Sequence, residues 1–198
     1  MNRPFSDRPP APTITVALCP HPISPATPVS GIRLSARVLD DGSFAFAFRL
    51  EGEVAGLRVP APQPPAAADD LWKHTCVEVF VGVPGEEAYR EFNFSPSGQW
   101  AAYAFSAYRV RDAANDPRIT PQIVFEQEAD GLALDVVLPA AALPACEPGT
   151  SLPIGIAAVI ETADRGLAYW ALHHASAMPD FHQRGSFAMV MTTPQTRG

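Results

Sequence analysis

Nowhere in the 198-residue chain do two lysines or arginines stand next to each other, and the 14 of them face 21 aspartates and glutamates. Nucleic-acid binding draws on clustered cations that displace counterions from phosphates, so a net charge of −7 argues against that partner. No stretch approaches the roughly 18 consecutive apolar residues that a membrane helix requires. Prolines interrupt the N-terminal MNRPFSDRPPAPTITVALCPHP before it can build the apolar centre of a secretion signal. The three cysteines, Cys19, Cys76 and Cys146, are an odd number without CxxC spacing, which argues against a disulfide framework or a zinc site. A cytoplasmic protein with free thiols is the expectation. GxGxxG, Walker and GxSxG elements are also missing. Finally, 22 prolines and 13 glycines leave little room for long helices.

What the chain does hold is strand pattern. With 47% apolar residues it can bury one ordinary core. Residues 1–12 carry four prolines and read as a disordered tail, and 193–198 as a C-terminal tail. Candidate strands cover 13–18, 32–39, 44–50, 119–127, 132–138, 154–161, 167–173 and 187–191. Asp40, Asp41 and Gly42 join the second and third of these as a hairpin, and Asp130 and Gly131 join the next two. Residues 59–70, VPAPQPPAAADD, are a surface excursion, and 139–143 suit one short helical turn after a proline. About ten strands with turns every eight to twelve residues describe an all-β chain, an antiparallel β-sandwich over 13–192.

The segment from Leu71 to Phe105 says most about function. It reads as three consecutive strands separated by turns at Pro84 and Gly85 and at 95–98. Val77, Val79 and Val81 alternate with Cys76, Glu78 and Phe80, and Phe92 and Phe94 alternate with Glu91 and Asn93. A simple hairpin sets Glu78 across from Asn93 and Phe80 across from Glu91, with Tyr103 joining from the third strand beside the small Ala101. Cross-strand neighbours on one face sit about 4.5–5.5 Å apart, so two carboxylates and an amide converge. Buried without partners, such groups cost several kcal/mol each, so the patch is wet or built to hold something polar. An exposed face with ordinary solvated side chains is the plainer alternative. Carboxylates, an amide and flat rings together suit a sugar, whose hydroxyls donate to Glu and Asn while its C–H faces stack on aromatics.

Strand parity makes Trp100 a core residue, beside Ala102 and Ala104. Trp72 and Trp170 remain as candidates for ligand stacking, with a buried structural role equally open for Trp170. The stretch YWALHHASAMPDFHQRGSF contains His173, His174 and His182. Adjacent histidines on a strand point to opposite faces, so His173 and His174 cannot share one metal. A site from His174, Asp180 and His182 lacks recognised spacing, and Asp180 reads more simply as a loop residue accepting backbone N–H bonds. Cys76, His74 and Glu91 include the residue types of a thiol triad, but Cys76 lies within a strand, with no helix N-terminus to activate it. Glu78 and Glu91 could instead be a glycosidase pair.

LWKHTCVEVFVG, then YREFNFSPSGQWAAYAFSAYR, YWALHH and PDFHQRGSF together resemble the DOMON-like superfamily, in particular its branch related to carbohydrate-binding module family 9. The shared elements are a tryptophan, an acidic pair on successive strands (VEVF and EFNFSPSG) and a closing C-terminal strand. The resemblance covers most of residues 13–191. It implies an antiparallel β-sandwich that binds sugar or haem and usually performs no chemistry. Sugar-binding members clamp the ring between two tryptophans, a role that falls here to Trp72 and Trp170. Haem-binding relatives use Met and His as axial ligands; Met178, Met189 and Met191 are available, but none matches those positions. Such proteins normally work outside the cytoplasm, so the missing signal peptide is a departure. The expectation is a non-catalytic, cofactor-free domain that binds a carbohydrate or similar polyol, with no nucleic-acid or membrane partner. Glu78, Glu91, Asn93 and Tyr103 would form the polar floor, with Trp72 and Trp170 stacking. A haem-binding electron-transfer domain, and an enzyme using the Glu78/Glu91 pair, are the rival readings.

Overall fold

The structure, a computed structural model, describes residues 12–164 and 166–195. The strands are β1 (Ile14–Pro20), β2 (Val29–Val38), β3 (Phe44–Gly52), β4 (Cys76–Gly82), β5 (Tyr89–Phe94) and β6 (Trp100–Ala107). They continue with β7 (Val110–Arg111), β8 (Gln122–Gln127), β9 (Gly131–Leu138), β10 (Ser151–Glu161), β11 (Leu167–Ala171) and β12 (Met189–Thr192). All pairings between these strands are antiparallel. The first sheet runs β1-β2-β3-β9-β8 and the second β7-β6-β5-β4-β10-β11, with β12 beside the first half of β10. β1 belongs to both: residues 14–18 pair with β2, while Cys19 and Pro20 pair with β11. The result is the expected antiparallel β-sandwich. No α-helix occurs among the described residues, and none of their helices is long and apolar enough to cross a membrane.

Alternation fills the space between the sheets. Phe44, Phe46 and Phe48 of β3 meet Val79, Val81, Phe92 and Phe94 from the opposite sheet in one continuous apolar core. Gly42, at φ +84, closes the β2/β3 hairpin in a left-handed conformation that a glycine adopts without strain. Arg90 is the one charged side chain on the core-facing side of β5. Its Nη1 donates to the carbonyls of Ala142 (2.7 Å) and Leu143 (2.6 Å), a short turn after β9, and so ties the two sheets together. That turn, at Ala140–Ala142, is the one expected after Pro139.

Several boundaries differ from the sequence reading, each for a local reason. The first of the three central strands does not start at Leu71. Leu71–Lys73 is a 3₁₀ turn, set up by Asp70 at φ +63, and β4 begins only at Cys76. β8 starts at Gln122 because Pro121 has no N–H for a ladder bond. β11 ends at Ala171, so His173 and His174 lie beyond the strand. The short β7 was missed altogether, two residues being too few to show a period. The expected tail at 1–12 lies outside the described residues apart from Pro12. Of the tail at 193–198, Thr193 and Pro194 remain tied to the sandwich, through Thr193 N–H to the Thr150 carbonyl (3.0 Å) and Gly149 N–H to the Pro194 carbonyl (3.2 Å).

The outer face of the second sheet is the part that matters for function. It is not bare. Residues 172–188 fold back over one end of it, and Phe80, Tyr89, Phe105 and Phe187 form a second, smaller apolar cluster there. Gly155 lets Phe187 come close, since a Cβ at that position would lie 2.8 Å from the Phe187 ring. Residues 59–75 border the sheet at its other end. Ala67 bridges to Trp100, which carries Asp69 and Asp70 to the rim of an open cleft.

Candidate ligand-binding cleft

The register across four strands lays out the cleft floor. One row runs Ala157 (β10), Glu78 (β4), Asn93 (β5) and Ala101 (β6); the next runs Gly155, Phe80, Glu91 and Tyr103. Glu78 therefore faces Asn93 and Phe80 faces Glu91, as the hairpin reading required. Ala157 and Ala101, both buried, flank the polar pair with small side chains. The cleft measures about 880 Å³.

This floor is not a solvated sheet face. Glu78 is 4% exposed, Glu91 5% and Asn93 0%. Asn93 Nδ2 donates to Glu91 Oε1 at 2.9 Å, while its Oδ1 is buried with no donor. Among the described residues, the only hydrogen bond to the Glu78 carboxyl is a long one, 3.8 Å, from the Cys76 thiol. Burial, reinforced by the neighbouring Glu91 charge, holds the Glu78 carboxyl well above the usual carboxylate range. Burial also raises Glu91, against the opposing pull of the Asn93 bond, Arg111 and Arg109. Cys76 is pushed far up by burial and by the two glutamates, so it stays a thiol.

A second tier of groups surrounds the floor. Tyr89 hydroxyl accepts from Arg109 N–H (3.1 Å) and lies 2.8 Å from His182 Nδ1. With Tyr89 donating to Nδ1, the proton of neutral His182 sits on Nε2, which points at Glu91 Oε2 from 3.7 Å. Burial, aided by the Arg109 charge, lowers the His182 pKa to about 4, so the ring is neutral near pH 7. Asp180 anchors the covering segment by accepting from Arg109 Nη2 (2.8 Å), Gln183 Nε2 (3.0 Å), His182 N–H (3.2 Å) and the Tyr108 hydroxyl. Although its own burial works the other way, the bonds from Tyr108, Gln183 and Arg109 hold Asp180 below its ordinary pKa. Arg109 has φ +55, a left-handed backbone that a long side chain seldom adopts, and it lines the cleft.

Aromatic rings form the walls. Trp72, 47% exposed, stands on its 3₁₀ turn at the mouth, with the Lys73 ammonium 5.4 Å from its ring centroid. Tyr103 donates to Asp69 Oδ1 at 2.8 Å, and the Arg111 guanidinium lies 4.4 Å over its ring. Burial and the Asp69 bond raise the Tyr103 pKa, so its phenol remains a donor. Tyr169 and Phe181, whose rings meet edge to face at 6.2 Å, close the opposite side.

Comparison with known proteins bears on the architecture. No protein-family model and no curated protein matches the sequence. Solved structures do match. A Bacteroides uniformis protein, provisionally described as carbohydrate-binding, superposes with a TM-score of 0.64 at 14% identity, over 92% of this chain and 86% of that one. A family 9 carbohydrate-binding module from Caldicellulosiruptor kristjanssonii in complex with cellotriose gives 0.59 at 10% identity, over 91% and 83% of the two chains. The same kind of module from that organism in complex with glucose gives 0.55 at 10%, over 88% and 81%. The chain shares its fold with family 9 carbohydrate-binding modules.

On this family 9 fold, five of the six expected site residues come together. Glu78, Glu91, Tyr103 and Trp72 line the cleft, and Asn93 lies between the two glutamates. Trp170 does not join them. It pairs with Ala158 on the core-facing side of β11 and is 5% exposed inside the inter-sheet core, which corrects its reading as a stacking residue. Its neighbour Tyr169 takes the cleft side, because consecutive strand residues face opposite ways. Met189 and Met191 are likewise core residues, whereas Met178 is exposed at the cleft rim. Sequence reading missed Arg109, Arg111, Asp69 and Phe181. The last three sit outside the alternating centre of any expected strand, and Arg109 carried no signal until its left-handed backbone was seen.

Proposed function

We propose that this chain is a non-catalytic carbohydrate-binding domain, with the sugar lying over Glu78, Glu91 and Asn93 and against Trp72, Tyr103 and Tyr169. The observation that carries this reading is a floor of buried, under-bonded acceptors beneath exposed rings, in a sandwich whose structural neighbours include modules bound to cellotriose and glucose. Sugar hydroxyls supply the missing donors, and the ring's C–H faces suit an indole or phenol. The same geometry supports a role without chemistry. Both carboxylates rise from one sheet face, beneath the ligand, and do not flank a bond from two sides as a hydrolytic pair does. The Cys76 thiol is held protonated, and His182 is committed between Tyr89 and Glu91. Three free thiols support a reducing compartment such as the cytoplasm.

Thermal melting with glucose, cellobiose and cellotriose tests the reading. A saccharide that binds the folded state stabilises it by mass action, by about 2.7 kcal/mol at a hundred times the dissociation constant, and so raises the midpoint. Saturable shifts, lost in Trp72→Ala, are the expected result. Flat melting curves for every saccharide up to high millimolar concentration would remove the proposal.

A further inference from the structure

Hydrogen-bond bookkeeping on the cleft floor points to a particular kind of ligand group. Three side-chain donors around the floor turn towards the glutamates: Asn93 Nδ2 to Glu91 Oε1, His182 Nε2 towards Glu91 Oε2, and the Cys76 thiol to Glu78 Oε1. What remains open to a ligand is carboxyl and amide oxygen. Among the described residues nothing hydrogen-bonds Glu78 Oε2, although the residue is 4% exposed and lines the cleft, and Asn93 Oδ1 is buried beside it without a donor. The two arginines at the rim do not fill this role. Arg109 is bound to Asp180 at 2.8 Å, and Arg111 to Asp116 at 2.7 Å and to the Ala104 carbonyl at 3.1 Å. Among the described residues, then, Glu78 and Glu91 share a buried floor with no arginine or lysine hydrogen-bonded to either.

We propose that the ligand presents a primary ammonium group to Glu78, Glu91 and Asn93, so that, resting on the carbohydrate reading above, the preferred sugars are amino sugars. A hydroxyl brings one donor and two acceptor lone pairs but no charge, so it offsets none of the cost of ionising a desolvated carboxyl. An ammonium brings three donors and no acceptor, together with the positive charge that lets the desolvated Glu78 and Glu91 ionise beside it. Glu78 and Glu91 both line the cleft, so a group of that size reaches the two carboxyls from its open side.

The test titrates the full chain with glucosamine, glucose and N-acetylglucosamine by calorimetry, at a pH where the sugar amine is protonated. Hydrogen bonds to charged groups contribute about 1.5–3 kcal/mol, so glucosamine should bind roughly tenfold or more tightly than glucose. N-acetylation, which removes the charge and two donors, should abolish that advantage. Glu78→Gln should compress the glucosamine-to-glucose ratio towards one; the wild-type comparison stands alone if that variant fails to fold. Glucose binding as tightly as glucosamine overturns the ammonium assignment and leaves the carbohydrate reading intact. If no sugar binds but cyclohexylamine does, in a Glu78-dependent way, the ammonium assignment holds and the carbohydrate reading falls. If neither sugars nor the amine bind, both are overturned.

Discussion

Trp72 and Trp100 carry the same side chain with opposite expected costs of removal. Trp100 is buried between the sheets with Phe92 and Phe94 in one core, so Trp100→Ala should cost about 3–5 kcal/mol and can unfold the domain. Trp72 is nearly half exposed on a 3₁₀ turn whose anchor is its buried neighbour Leu71. Trp72→Ala should move stability by no more than about 0.5 kcal/mol, as for other surface positions. It should weaken a stacked ligand by on the order of 0.5–1.5 kcal/mol. Melting curves and one binding isotherm per variant decide the matter. A Trp72→Ala protein that melts far below wild type would mean the ring supports the fold and not a ligand.

At the scale of elements, the cleft wall is a segment without regular structure, and Asp180 is the knot that holds it. Residues 172–188 contain only the Arg184–Ser186 3₁₀ turn, so few ladder bonds restrain them. Four donors, from Tyr108, Arg109, His182 and Gln183, meet on the Asp180 carboxylate and tie this segment to the β6/β7 turn. Asp180→Ala leaves all four without their acceptor and should cost about 1–3 kcal/mol. The loss should be local: limited proteolysis within 172–188 accelerates, while hydrogen exchange in β3 and β9, across the core, stays slow. Exchange that speeds up equally in those distant strands would contradict a local role. Arg109 and Tyr108 belong to the same knot, so loss of Asp180 should also loosen the Tyr89 and His182 pair that borders Glu91.

Across the whole molecule, the buried glutamates and His182 shape the pH profile in opposite directions. Glu78 and Glu91 titrate above their ordinary 4.5 when folded, so the folded state holds protons that the unfolded chain releases. Their contribution is fully present below pH 4.5 and is lost as pH rises through the raised folded values. His182 runs the other way. Its pKa falls from 6.5 to about 4 on folding, so its contribution is complete above 6.5 and is lost as pH falls towards 4. Glu78→Gln removes a proton-linked decline, so its melting point should gain on wild type progressively as pH rises above about 5. Parallel wild-type and Glu78→Gln curves from about pH 4 to about pH 9 would show that Glu78 is not desolvated as the fold implies.

The periodic parts of this protein could be read directly from the chain. Valines alternating in β4, phenylalanines alternating in β3 and β5, and Gly42 and Gly131 at the turns set strand identity, the central hairpin register and hence the meeting of Glu78 with Asn93. These are local matters, decided by a two-residue period and by turn geometry. Parity at Trp170 was not decided in this way. Ala168 and Ala171 are both small, so β11 offers no apolar contrast to say which side faces in; only its pairing with β10 places Trp170 in the core and Tyr169 in the cleft. The burial of Glu78 and Glu91 was equally out of reach. It depends on residues 59–75 and 172–188, which are far from β4 and β5 in sequence or have no period of their own, folding over a sheet face that the strand pattern alone leaves open to water. A strand pattern specifies which side chains share a face. What covers that face, and therefore whether its carboxylates are solvated or held dry at the floor of a cleft, is decided only when distant segments pack against it.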